Sequence, residues 1–401
     1  MMSEPLITVI IPTRERSDVL YHSLKTLTAQ KYEDLRIIVS DNASKDRTSE
    51  VVKSFNDARI QYINPGKRIS MSHNWEFALS HVREGWVGFL GDDDGFLPGA
   101  LNNVAAAIIS TDCKAIRYST CNYTWPGVGA SSSGRMQVPL TSGFATRSST
   151  KWIGKVLSGV TSYTELPTLY NGGFAEVEFL KSLYRNDKFF HSCTPDVYSG
   201  LVIAEQSEDY LRAFEPIAVN GASRHSNGTS FFTARNPDQE KPAEMFLREE
   251  NIPFHTLVPL LPDGRYPRSL QAIIYEAYLQ VMDIFQRPPA TSPELQLGYI
   301  IRDASGATDW LPEWVESFAA RNRIPRKCMP LTSARKQIHS LRKYIEVLLQ
   351  APKFWGIGDD DLPINDVYQA AIVAGTVKRI APGWMKNSAR ILRKQFIGNA
   401  T

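Results

Sequence analysis

Residues 6–27 read LITVIIPTRERSDVLYHSLKTL. Positions 6–11 are a β-branched, apolar run without alternation, the pattern of a strand covered on both faces inside a parallel sheet. Pro12 to Arg16 break that run, Ser17 or Asp18 is placed to cap a helix, and Val19, Leu20, Leu24 and Leu27 recur at helical spacing. A buried strand, a short turn and an amphipathic helix are the opening of a βα unit, whose ligand sites gather at the C-terminal ends of the strands.

The same unit recurs along the chain. Strands are expected at 35–40 (LRIIVS), 59–64 (RIQYIN) and 85–91 (GWVGFLG), with helices after residue 46 and at about 72–81. Strand and helix alternate about every 25 residues to position 110, which predicts an α/β fold around a doubly wound sheet. Beyond 115 the pattern breaks: AIRYST reads as a strand, PTLYNGGFAEVEFLKSL as a turn into a helix, and 195–207 as a helix with Asp196 in its first turn. The stretch SRHSNGTSFFTARNPDQEKPAE reads as a linker, and RSLQAIIYEAYLQVMDIF begins a series of helices. These features divide the 401 residues into a catalytic domain at 1–235 and a helical C-terminal region at 236–401.

Composition narrows the function classes. The formal net charge of +3 is too small to argue for a nucleic-acid partner. Four cysteines without CxxC spacing form neither a disulfide framework nor a zinc site, which fits a reducing, cytoplasmic compartment. The N-terminus has only a short apolar run broken by Pro12, and reads as neither a signal peptide nor a membrane span.

The most pointed feature is the run Gly91-Asp92-Asp93-Asp94-Gly95 directly after the fourth strand. Adjacent carboxylates repel one another and contribute nothing to packing. Such a run is either a solvated turn before a helix or an oxygen-rich site for a hard divalent cation, Mn2+ or Mg2+, shared with a diphosphate. The first turn lacks the GxGxxG of a dinucleotide site, but Arg14 there can pair with phosphate. Asp41 closes the second strand at the same sheet edge, where it serves either an Asx-turn or a ribose or base.

The stretches TVIIPTRERSDVLYHSLKTLTAQKYEDLRIIVSDNASKDRTSEVV and GKRISMSHNWEFALSHVREGWVGFLGDDDGFLPGAL resemble the nucleotide-sugar-binding half of the GT-A family 2 glycosyltransferases over roughly residues 5–110. The resemblance implies a GT-A fold, a nucleotide-diphosphate sugar donor, a divalent metal and an inverting transfer to a saccharide hydroxyl in cell-envelope polysaccharide synthesis. It implies that Pro12, Thr13 and Arg14 line the nucleotide and that Asp41 contacts the base. Lys67 and Asn74 would lie near the ribose and diphosphate. Asp92, Asp93 and Asp94 would form the acidic motif, with Asp92 and Asp94 on the metal. Many family members carry aspartate where this chain has Gly91, so the register of the motif is open by one residue.

An inverting transfer needs a base for the acceptor hydroxyl. In the family this acid opens a helix late in the catalytic domain, so the resemblance implies Asp196, with Glu165, Glu176 and Glu178 as rivals. His225 is either a surface residue or a diphosphate contact. Two other classes remain. A nucleotidyltransferase would carry a Gly-rich basic first turn, which this chain lacks, and a non-catalytic nucleotide-sugar-binding protein would keep the fold without the base.

A second acidic run, GDDDLP at 358–363, follows APKFWGI, which lacks a strand pattern, and reads as the start of a helix. The segments ARKQIHSLRKYIEVLLQAPKFW and GWMKNSARILRKQFIG pair apolar stripes with basic faces. They read either as core helices with a solvated face or as helices resting peripherally on anionic lipid at the inner face of a membrane, which would suit a lipid-linked acceptor. An oligomer is compatible with the sequence, which does not fix the state.

Overall fold

In the computed structural model, residues 4–128, 133–225, 249–304, 309–328, 354–358 and 363–381 are described. The opening stretch forms β1 (Ile7–Thr13) and α1 (Ser17–Thr28). All of β1 except Pro12 is buried, because the strand lies inside the sheet with parallel neighbours on both sides. The buried face of α1 includes Val19, Leu20, Leu24 and Leu27, as its spacing predicts. Its cap differs from the expectation: neither Ser17 nor Asp18 caps, and the Ser17 amide instead donates to Asp46 Oδ2 at 2.9 Å, from the loop after the next strand.

The alternation continues as β2 (Leu35–Asp41), α2 (Thr48–Ser54), β3 (Ile60–Ile63), α3 (Met71–Leu79) and β4 (Trp86–Phe89). It is followed by a short β5 (Gly95–Phe96), α4 (Ala100–Ile109) and β6 (Ala115–Thr124). Strands β3, β2, β1 and β4 are parallel neighbours in that order. Register places Thr13 directly opposite Asp41, so two of the expected site residues share one sheet edge by construction.

The second half departs from simple alternation. After β7 (Met136–Pro139), β8 (Phe144–Ser148) and α5 (Ser149–Leu157), strand β9 (Gly173–Glu176) inserts antiparallel between β4 and β6 and leads into α6 (Val177–Ser182). The sequence reading gave this stretch only a turn and a helix, since four residues carry too little periodicity to declare a strand. Helix α7 (Pro195–Glu205) is followed by β10 (Asp209–Ala222), a long strand the pattern concealed. Arg212, Glu215 and Pro216 interrupt its apolar character, and its pairing with β6 shifts register on both sides of Pro216.

The expected domain boundary near 235 lies outside the described residues. Beyond it, the helices Leu270–Ile284, Pro293–Asp303 and Leu311–Arg321 bury Ile273, Tyr278, Leu297 and Trp314 in the same core as Val197 and Leu201 of α7. The chain then returns to the sheet. Contrary to the sequence reading, Phe354–Ile357 is a strand, β11, antiparallel to β7. A helix at Val367–Ile380 covers Leu97, Val138 and Val219, with Asp366 as its N-cap. Residues 359–362 of the second acidic run and the two basic segments, apart from Phe354 and Trp355, fall outside the described residues. No described helix is long and apolar enough to cross a membrane.

Candidate active site

The ends of β1, β2 and β4 converge on one edge and are laced together by short bonds. The Asn42 amide donates to Thr13 O at 2.9 Å, and Glu15 accepts from the Lys45 and Asp46 amides at 3.0 and 3.2 Å, so the first two βα turns are bonded to each other. On that base sits Asp92. Its Oδ2 accepts from Thr13 Oγ1 at 2.8 Å and its Oδ1 from Arg16 Nη1 at 3.0 Å. Burial pushes the Asp92 carboxyl up, and the Arg16 guanidinium works against that shift.

The three aspartates do not behave alike. All three are buried, and Asp94, expected as a metal ligand, has both carboxylate oxygens taken up by protein donors. Its Oδ1 accepts from the Gly221 amide at 2.7 Å, and its Oδ2 from the Gly91 amide at 3.1 Å and Tyr170 OH at 2.7 Å. With three protein donors it acts as a bracket for the loop. Burial and the neighbouring Asp93 push its carboxyl well up. Asp93 Oδ2 accepts from Ser223 Oγ at 2.6 Å, while Trp125 Nε1 donates to the Asp93 carbonyl at 3.0 Å.

This packing accounts for Gly91. A Cβ at that position would lie 2.4 Å from Asp94 Oδ2 and 2.5 Å from Tyr170 OH. The aspartate that the family resemblance would allow there has no room, because the Tyr170 hydroxyl and the Asp94 carboxylate occupy the space. Gly91→Ala is therefore expected to lower stability by about 1–3 kcal/mol through forced displacement of the bracket. Chemical denaturation checks this, and a change below ~0.5 kcal/mol would mean that the bracket yields freely.

The expected nucleotide residues fare differently. Pro12 is half-buried near the end of β1. Arg14 is half-buried and ion-paired with Glu249, and burial lowers its pKa. Asp41 accepts from the Ser44 amide at 3.0 Å, Tyr62 OH at 2.6 Å and Asn64 Nδ2 at 3.4 Å, so it does make the local turn contact. Lys67 is exposed in the loop before α3. Asn74, expected near the ribose and diphosphate, instead points into the sheet: it is 3% exposed and exchanges hydrogen bonds with Ser40 at 2.9 and 3.3 Å. Its place in α3 makes it a fastener of helix to strand.

Asp196 stands in the first turn of α7, behind Pro195. Its Oδ2 accepts from Tyr163 OH at 2.6 Å, and burial raises its pKa while that bond opposes the rise. The rivals are engaged elsewhere. Glu165 is held between Arg147 and Arg212 at 2.7 and 3.1 Å, and those guanidinium groups overcome burial to keep it well below the carboxylate range. Glu176 pairs with Lys114 at 2.8 Å and Glu178 with Lys181 at 3.4 Å. His225 Nε2 lies 3.3 Å from Asp18, and its backbone carbonyl accepts from Arg16.

Sequence reasoning missed Arg16, Tyr163, Tyr170, Ser223 and Trp125. Each reaches its carboxylate or loop from a distant part of the chain, and none sits in a pattern that marks it. Among the described residues no three His, Cys, Asp or Glu side chains converge as a metal cage. The carboxylates of Asp92 and Asp93 still suit a hard cation, which accepts one or two carboxylates and takes its other ligands from phosphate and water.

Residues 8–161 match the model of glycosyl transferase family 2. That stretch is similar to a family 2 glycosyltransferase domain. The three strand ends at the candidate site all lie within this domain, and the α/β sheet agrees with the GT-A expectation. Asp196 and the helices after residue 269 lie beyond the matched stretch. Among relatives, the GalNAc(5)-diNAcBac-PP-undecaprenol beta-1,3-glucosyltransferase of Campylobacter jejuni is 37% identical over 103 residues, 25% of this chain and 33% of that protein. The UDP-Glc:alpha-D-GlcNAc-diphosphoundecaprenol beta-1,3-glucosyltransferase WfaP of Escherichia coli is 24% identical over 118 residues, 29% of this chain and 46% of that protein. The family 2 domain thus aligns with between a third and a half of these relatives' lengths. The structure of S. aureus TarS 1-349 in complex with UDP is similar at a TM-score of 0.43 and 15% identity, over 60% of this chain and 71% of that one.

Proposed function

We propose that this chain is an inverting glycosyltransferase that moves a sugar from a nucleotide-diphosphate donor to a hydroxyl of a saccharide acceptor in cell-envelope polysaccharide synthesis. The observation that carries the reading is the family 2 match over a stretch whose strand ends bring Thr13, Asp41 and Asp92 to one sheet edge. Two relatives are named as glucosyltransferases, one with UDP-Glc as donor and both with undecaprenol-linked acceptors. UDP-glucose and a lipid-linked saccharide are accordingly the substrates proposed.

Asp196 takes the acceptor proton as the new bond forms at the anomeric carbon and the bond to the diphosphate breaks, a single displacement that inverts configuration. Burial keeps this carboxylate basic, and Tyr163 holds its orientation. Arg16, already on Asp92, places positive charge at the sheet edge where a diphosphate would lie. Asp92 and Asp93 would hold a manganese or magnesium ion, which when bound supplies further charge against the leaving diphosphate. Asp94 keeps their loop in place.

A thermal-shift panel of UDP, GDP, TDP and CDP, each with and without manganese, tests the reading. UDP with manganese is expected to raise the melting temperature by a few degrees, since ligand at 100 times its Kd adds about 2.7 kcal/mol. Asp92→Ala should abolish the manganese-dependent part. Absence of a metal-linked shift with every nucleotide would remove the proposal.

A further inference from the structure

Arg117, on β6, is 5% exposed and spends its guanidinium on the carbonyls of a single segment. Nε donates to Thr164 O at 2.6 Å, and Nη1 to Tyr170 O and Asn171 O at 2.7 and 2.8 Å. The segment between these anchors, residues 163–171, touches both halves of the site. Tyr163 OH donates to Asp196 Oδ2 at 2.6 Å and Tyr170 OH to Asp94 Oδ2 at 2.7 Å. Thr168 Oγ1 also donates to the Asp196 carbonyl at 2.7 Å, and the Asn171 amide donates to the Phe89 carbonyl while the Phe89 amide donates to the Leu169 carbonyl, which ties the segment to β4.

We propose that Arg117 is a positioning residue that, through residues 163–171, sets the orientation of the Asp196 carboxylate and of the aspartate loop together. The inference rests on the proposed roles of Asp196 and the aspartate loop. The planar fork of arginine satisfies three carbonyls at once, which the compact ammonium of lysine cannot reproduce. Holding a cation there has a cost. Burial and the neighbouring Arg212 lower the Arg117 pKa to about 10, which leaves it charged at neutral pH. Glu165 offsets the local charge by pairing with Arg147 of β8 and Arg212 of β10. The groups around Asp196 are thus Tyr163, with Arg117, Glu165, Arg147 and Arg212 behind it. From the helix Leu270–Ile284, Glu276 accepts from Ser192 ahead of α7 at 2.8 Å.

Three variants of the full chain test this: Arg117→Lys, Tyr163→Phe and Tyr170→Phe. Two readouts need no turnover. One is the carboxyl 13C titration of Asp196, assigned with Asp196→Asn; the other is the manganese concentration that half-saturates thermal stabilisation by UDP. Tyr163→Phe removes a bond to the charged form, so the Asp196 titration should move up by about half a pH unit or more with the manganese requirement unchanged. Tyr170→Phe should raise the manganese requirement about threefold or more with the Asp196 titration unchanged. Arg117→Lys should move both.

A lowered unfolding midpoint in Arg117→Lys with both readouts unchanged would overturn the inference and leave Arg117 a purely structural residue. If that variant does not fold, the two phenylalanine variants decide: an unmoved readout in either one breaks its arm of the coupling. Failure of the underlying reading looks different. Asp196→Asn with full turnover would remove the base, while the manganese arm would still report on Arg117 and Tyr170.

Discussion

Asp196→Asn is expected to lower sugar transfer by about 10^2–10^4-fold, the range a positioned general base contributes. The amide has the volume of the carboxylate, and its oxygen can still accept from Tyr163 OH, now 2.6 Å from Oδ2. It cannot take a proton. Donor binding, assigned above to the edge with Thr13, Asp41 and Asp92, should stay within about twofold, so the loss should appear in kcat. The sign of the pH dependence follows from the raised pKa: the base acts when ionised, so transfer should fall as pH drops through a value above the ordinary aspartate pKa of about 3.9. An Asn variant that retains its turnover would eliminate Asp196 as the base.

The second large effect concerns Glu165, a rival that the structure engages elsewhere. Arg147 and Arg212, with side chains 5% and 6% exposed, meet at its two oxygens, and Arg117 lies beside them. Glu165→Gln removes the compensating charge and leaves buried guanidinium groups facing one another. Removing one partner of a buried ion pair costs about 3–5 kcal/mol, and the partial exposure of Glu165 places this case near the lower end. Urea denaturation at pH 7 measures it, and a loss under ~1 kcal/mol would show that solvent already screens the cluster. Because the pairing depresses the Glu165 pKa, its stabilisation is fully present above the unfolded-state value of about 4.3 and is lost as pH falls below it. The wild type should therefore approach the Gln variant in stability on acidification.

Legibility varied along the chain for physical reasons. The units from β1 to β4 could be read because strands buried on both faces are long β-branched runs and their helices carry apolar stripes. Strand β9 is too short, β10 is broken by Arg212, Glu215 and Pro216, and β11 follows a stretch without pattern. At the site, the shared edge of Thr13, Asp41 and Asp92 could be read because each stands at or just past a strand end of such a sheet. The Ser40 partners of Asn74 were not legible, because a polar residue on a helix looks the same in sequence whether it faces a ligand or, as here, the Ser40 backbone and hydroxyl.

By itself the sequence determined that an α/β sheet forms and that an acidic run stands at the end of its fourth strand, since both follow from local periodicity and the position of a turn. It did not determine which partners each carboxylate meets. Only the tertiary structure turned Asp94 onto Tyr170 and Gly221, placed Arg16 on Asp92, and set Tyr163 against Asp196 while enclosing Glu165 in arginine. Apart from the adjoining Gly91 amide, the partners of Asp92 and Asp94 come from 76 to 127 residues away. Side-chain direction at such range is fixed by how the layers pack, and no local pattern encodes it.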